Sequence, residues 1–437
     1  MSAALFFLSV MAAFGAFYAI AVRQFFDAPF IFTLHGAALM GLPPLLYLAG
    51  FELGNPLYDS LNRDNANLLM AMVLIVWMAG VIGGYLIFTK VPLGRFILPD
   101  FTYERSASMT FIGLCVLSVF GLILLWKPLS ANGFYVIETV SSIRHGGFFY
   151  GGLSFARQFI FFGSLLSGGF LLWLLAENRL GRNVANGMIP GTIALFFLNL
   201  LMAFLLGGKG FLVFPLGAVL IGYEICVRQR GYRRIILGLA MLVTLIAGLQ
   251  FFRSNVVAGS DQPAAEHVYT GLYFVVYDTT LLYLESAGRL HTTQTGEDFK
   301  NSFVILVPRL LWPGKPSAEL TAGNRFARQI EPQKDNPGGK PPYGFAQWYV
   351  NFGWIGAFIG GALTGWLLAL TQDRYHNFKQ NPFSFVIAWH IIFFMLGPWP
   401  GGIHNTTLLH YALYIFPLFI FKFLTHRGFY KSSASGA

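Results

Sequence analysis

Long apolar runs alternate with short polar segments along most of the chain. Runs of spanning length fall at about 4–22, 29–50, 67–89, 108–126, 155–176, 186–207, 210–227, 235–252, 346–370, 384–400 and 407–424, with edges good to about 2–4 residues. Roughly 20 helical residues cross a bilayer core of about 30 Å, so the pattern predicts about eleven transmembrane helices. The period-two alternation that a lipid-facing barrel strand needs is missing, whereas a helix satisfies its own backbone groups in lipid. The fold class read from the pattern is therefore all-α, a polytopic membrane helix bundle. One long stretch breaks the rhythm. It divides the chain into helices 1–8 over residues 1–252, a large extramembrane loop over 253–345, helices 9–11 over 346–424 and a tail over 425–437.

Composition supports this class: of 437 residues, 55% are hydrophobic and 11% charged, and the mean hydropathy is +0.60. The cysteines, Cys115 and Cys226, fall in or beside spans, which leaves no disulfide framework and no thiolate metal site to argue from. The opening MSAALFFLSVMAAFGAFYAIAV has no basic segment before its apolar run and no small-residue cleavage signature after it, so it reads as a retained first helix. The ending SSASGA reads as a disordered end.

Charge gives the bundle a direction. Cytoplasmic short loops carry the excess of Lys and Arg. Arg23 and the segments 90–105, 177–182, 226–234, 371–380 and 422–431 together hold fifteen basic residues, whereas the opposite short loops hold five, Arg63, Lys127, Arg144, Arg157 and Lys209. The N-terminus is expected outside and the C-terminus in the cytoplasm. The loop 253–345 then lies outside, with nine basic and nine acidic residues, and a long loop crosses regardless of its charge.

Within that loop, 270–291 is too polar for a span but long enough for an interfacial amphipathic helix ending at Gly288. Asp278, Glu285 and Arg289, spaced by seven and four, stack on one face. They either aim acids at a membrane-bound substrate or simply solvate that face. Next comes VPRLLWPGKPSAELTAGNRFARQ, 307–329, where Pro308, Pro313 and Pro316 enforce turns and Trp312 can anchor at headgroup depth. Arg309, Lys315, Arg325, Arg328, Lys334 and Lys340 place six cations within 32 residues. Arginine offers phosphate oxygens a planar fork and lysine a point charge, so such a loop can neutralise a diphosphate without a metal ion. Contact with anionic headgroups is the plainer use of the same charges. Lys209, Arg144, His145, His404 and Asn405 are further polar residues on the outer side. There is no P-loop, no HExxH helix, no His/Cys cluster of metal spacing and no GxSxG elbow, so nucleotide hydrolysis, zinc proteolysis and serine hydrolysis have no motif support. Nucleic-acid binding has none either, because topology and the outer loop account for the charge.

That string, followed by PPYGFAQWYVNFGWIGAFIGGALTGWLLAL, resembles the bacterial O-antigen polymerases, or oligosaccharide repeat-unit polymerases. The matching residues are Pro308, Arg309, Trp312, Pro313, Lys315, Pro316 and Gly323, then Asn351, Phe352, Gly353 and Gly356, over about fifty residues. Family members commonly carry an acid just before the Asn-Phe-Gly element, where this chain has Gln347. The resemblance implies a GT-C-like glycosyltransferase in the bacterial inner membrane, acting on its periplasmic side upon undecaprenyl-diphosphate-linked oligosaccharide, in the lipopolysaccharide pathway. It implies no cofactor, and as partners it implies membrane lipids and a chain-length regulator protein. A growing glycan would leave its diphosphate carrier and be attacked by a hydroxyl of the next repeat unit. Such chemistry needs cations for the diphosphate and a base for the acceptor proton. Arg309, Lys315 and Arg325 are the first candidates for the diphosphate, with Arg289, Lys209 and Arg144 behind them; Glu285, His291 and Glu319 are the candidate bases. Two other readings share these features: an O-antigen ligase that moves finished glycan to lipid A core, and a transporter of the same lipid-linked sugar. Transporters usually collect ionisable groups at the bilayer midplane, where this chain has few besides His390.

Overall fold

The computed structural model of the protein describes residues 2–23, 27–50, 63–89, 107–135, 138–139, 154–181, 187–205, 209–228, 275–286, 298–300 and 342–380, with isolated positions 238, 244, 248, 296, 312, 314, 326, 385, 386 and 389. Among them there is helix and no strand. The helices are α1 (Ser2–Ala21), α2 (Ala28–Leu48), α3 (Arg63–Phe88), α4 (Ala107–Ala131), α5 (Ser154–Arg179), α6 (Met188–Leu205), α7 (Lys209–Gly222, continuing as π turns over Tyr223–Arg228), α8 (Val275–Ser286) and α9 (Gly344–Gln380). Seven described helices are long and apolar enough to cross a membrane. Large apolar side chains such as Leu8, Ile75, Val116 and Ile123 are exposed on α1, α3 and α4; lipid tails are the natural solvent for such surfaces. The expected spans at 235–252, 384–400 and 407–424 lie outside the described residues except at isolated positions, so the count of eleven is not reached there.

The chain divides into two compact units, one of residues 1–97, 268–374 and 391–411, the other of 98–267, 375–390 and 412–437. In the first, α1 and α2 form an antiparallel pair. Asp27 starts α2: its carboxylate accepts the Phe30 N–H at 2.8 Å, satisfying one of the free donors of the first turn. Phe14 lies over Gly36, and Gly41 rests against Phe7 and Val10. α3 runs in the same direction as α1, since Ser2 bonds to Asp64 at one end while the Tyr85 hydroxyl donates to the Ala21 carbonyl at the other, at 3.2 Å. Phe17 meets Phe32 and Tyr85 edge-on, each at 5.5 Å, in the aromatic middle of this bundle. Its lower polar end is closed by Gln372 of α9, which takes the Tyr85 hydroxyl and donates to Asp27 at 3.3 Å.

The expected ninth span is not one straight helix. At Gly353 the backbone turns through φ 66, ψ −156, and α9 is two helices joined there. Residues eight apart on a straight helix are about 12 Å apart, yet a Cβ at Gly356 would lie 2.6 Å from the Trp348 carbonyl oxygen, and one at Gly360 would strike the Trp348 ring. Residues 344–352 therefore form a short leg folded back on the long leg, 354–380. The short leg is too brief to cross a bilayer alone. The long leg runs parallel to α3 at the closest approach in the unit: a Cβ at Gly80, Gly84, Gly361 or Gly365 would collide with the backbone of Phe358, Ala362, Trp77 and Val81 respectively. Two glycines spaced by four on each helix let the backbones touch, which is how helices gain packing energy in lipid.

In the second unit, α5 packs against α4, α6 and α7. Asn199 of α6 donates to the Ser118 hydroxyl of α4 at 2.9 Å, and Gly163 of α5 leaves room for that amide. Leu171, Phe196 and Leu200 form an apolar cluster beside it. Arg179 donates to the Val227 carbonyl in the π turns, where Arg228 pairs with Glu224 at 3.6 Å.

Candidate functional site

The first unit gathers the second half of the sequence motif into one place. α8 covers part of the helix expected over 270–291. Its side chains from 276 to 284 are buried except Asp278, and it packs on α2 and α3. Asp278 and Glu285, the two half-buried positions, do share a face as their spacing requires. Two phenols tie this helix into the bundle. The Tyr277 hydroxyl donates to Asn67 Oδ1 at 2.5 Å, and Tyr343, whose N–H donates to Thr280 Oγ1 at 2.9 Å, sends its hydroxyl to the Leu39 carbonyl at 2.8 Å. Burial first, and the neighbouring Asp278 second, push the Tyr277 phenol well above the ordinary range; burial does the same at Tyr343. Both therefore stay neutral donors. Tyr343 in turn begins the short leg, accepting the N–H groups of Ala346 and Gln347.

Against the short leg lies a single helical turn, 298–300, from the long segment between α8 and α9. Gly296, at φ 73, bends the chain so that the Lys300 N–H returns to the Gly296 carbonyl at 2.9 Å. That turn presents Asp298 to the hairpin. Asn351 Nδ2 donates to Asp298 Oδ2 at 2.9 Å and to the Gln347 carbonyl at 2.9 Å. Asp298, Gln347 and Asn351 are 3%, 1% and 3% exposed, so a carboxylate and two amides meet in an enclosed environment. Gln347 Oε1 and Asn351 Oδ1 have no hydrogen-bond partner among the described residues, and buried polar atoms of this kind call for an explanation. One side is walled by aromatic rings: Phe299 lies 4.5 Å from Trp348 and 5.3 Å from Phe352.

No protein-family model, curated protein or solved structure matches this chain. The residues themselves carry the argument.

Asn351 and Gly353, singled out as motif residues, gain plain physical roles: the glycine makes the turn and the asparagine holds an acid. Trp312 is exposed. Glu285 sits half-buried on α8. Lys209 is the first residue of α7, in the other unit. Arg309, Lys315, Arg325, Arg289, Arg144, His291, Glu319, Pro313 and Pro316 lie outside the described residues. Sequence reading missed Asp298. It lies 53 residues before Asn351 along the chain, and no local pattern marks it.

Proposed function

We propose that the protein is a membrane glycosyltransferase that polymerises undecaprenyl-diphosphate-linked oligosaccharide repeat units at the periplasmic face of the bacterial inner membrane. The observation that carries this reading is the motif of Arg309, Trp312 and Lys315 followed by Asn-Phe-Gly at 351–353. Its second half folds around a buried carboxylate, which is the kind of group glycosyl transfer needs near its acceptor. In this reading Arg309, Lys315 and Arg325 hold the diphosphate. Their charge stabilises the leaving group as the glycosidic carbon separates from the phosphate oxygen.

Purified protein in detergent, given undecaprenyl-diphosphate-linked repeat units, is expected to build a ladder of longer lipid-linked glycans. Detergent has no compartments, so a transporter would leave the substrate unchanged. Arg309→Ala and Lys315→Ala should each shorten the ladder and cut its rate by about 100-fold; undiminished chain length would overturn the diphosphate assignment. In cells, loss of the gene should leave single-repeat products, whereas accumulated long carrier-linked glycan would identify a ligase.

A further inference from the structure

We propose that the meeting ends of α5 and α7 hold the phosphate of an anionic membrane phospholipid between Arg179 and Arg228. The inference stands apart from the polymerase reading. Each arginine lies in the last turn of its helix. Arg179 crosses from α5 to donate to the Val227 carbonyl, one residue before Arg228, so both guanidinium groups belong to one corner of the second unit. That carbonyl is of the kind a helix end leaves without an intrahelical donor. A guanidinium carries several N–H donors, and Arg179 is exposed, so the carbonyl fixes its head without exhausting it. At the other arginine, Glu224 lies 3.6 Å away, but the two partners face different ways. The Arg228 side chain is 39% exposed and that of Glu224 12%, and Glu224 Oε2 is sealed from solvent with no hydrogen-bond partner among the described residues. The acid is turned inward and the cations outward.

Two helix ends do not by themselves call for so much charge. Segments 177–182 and 224–234 hold six arginines, Arg179, Arg182, Arg228, Arg230, Arg233 and Arg234, against two acids, Glu177 and Glu224, a surplus of four positive charges with no lysine among them. The rule that gathers basic residues on one side of a membrane is met equally well by lysine, whereas the planar fork of arginine matches a pair of oxygens on one phosphate. Because α5 is long and apolar enough to span the membrane, its end lies at headgroup depth. Apolar side chains complete the fit. Leu180, 66% exposed, follows Arg179, and Leu220, 41% exposed, lies on α7 one turn before Glu224. A phosphate held at the arginines continues into acyl chains along a face that is already apolar; a soluble anion would use the charges alone.

The test uses the full-length protein in detergent, titrated with phosphatidylglycerol or phosphatidylcholine, with bound lipid counted by native mass spectrometry. Phosphatidylglycerol is expected to bind more tightly than phosphatidylcholine. Arg179→Gln and Arg228→Gln together should weaken phosphatidylglycerol at least about tenfold and leave phosphatidylcholine binding unchanged. A matched pair, Arg95→Gln with Arg374→Gln, removes two cations expected at the same membrane surface and should change phosphatidylglycerol affinity by less than about twofold. The proposal is overturned if the first pair has no larger effect than the matched pair, because the charge then acts diffusely. It is also overturned if inorganic phosphate displaces phosphatidylglycerol at equal concentration, because the corner then takes a free anion. Should the glutamine pair fail to fold, Arg179→Lys with Arg228→Lys keeps the charge and removes the forks. That pair should weaken phosphatidylglycerol at least about threefold, and unchanged affinity overturns the proposal.

Discussion

Gly353 occupies a backbone region that side chains exclude, at φ 66 and ψ −156. A Cβ there would meet nothing within 4 Å, so the cost of a substitution is conformational strain rather than collision. Gly353→Ala is expected to lower stability by about 1–3 kcal/mol, measured as an earlier melting transition in detergent. An unchanged transition would mean that the turn is not needed. The same change should reduce glycan extension, because the short leg carries both Asn351 and Gln347. At this scale the sequence was half legible. Asn351 and Gly353 could be picked out only through the resemblance of their surroundings to the repeat-unit polymerase motif. Asp298 could not, since TGEDF reads as ordinary loop chemistry until the chain folds it against a helix 53 residues further on.

Among elements, the contact of α3 with the long leg of α9 has the sharpest steric demand. Gly80, Gly84, Gly361 and Gly365 each face the partner's backbone, which cannot move aside as a flexible side chain can. Gly361→Val should cost at least about 1–3 kcal/mol through overpacking, seen as a lowered or lost melting transition. Gly83→Val, on the same α3 but with nothing within 4 Å of its Cβ, is the matched control and should melt normally. Equal effects of the two would refute the close approach. Hydropathy located α1 to α7 to within a few residues, because insertion into lipid demands a length and an apolar composition that local sequence records. It could not find the break at Gly353. The apolar run continues through the short leg into the long one, and only the fold decides that nine residues turn back instead of continuing across. The helix over 275–286 was found as an interfacial one, but not its enclosure, in which Tyr277 bonds to Asn67 and Thr280 to Tyr343.

At the scale of the molecule, the first unit shows relative helix directions, and the side of the membrane that each end faces is a prediction from the basic residues. α1, α3 and the long leg run one way and α2 the other, the order required if loops alternate sides as the charge count says. Which side is which can be checked directly. In a variant with Cys115 and Cys226 replaced by serine, Lys334→Cys should react with a membrane-impermeant maleimide in intact spheroplasts, and Lys431→Cys only after permeabilisation. The reverse pattern would turn the molecule over and remove its outer loop from the periplasm. The glycine contact also sets a clock on biogenesis. Trp77 and Gly361 lie about 280 residues apart in a chain made at about 5–20 residues per second, so α3 waits roughly 15–60 s for the helix that covers it. Through that interval its glycine face is open to any other helix with small residues. The first three helices are thus an assembly intermediate with a lifetime, and the cell must protect it until the last third of the protein arrives.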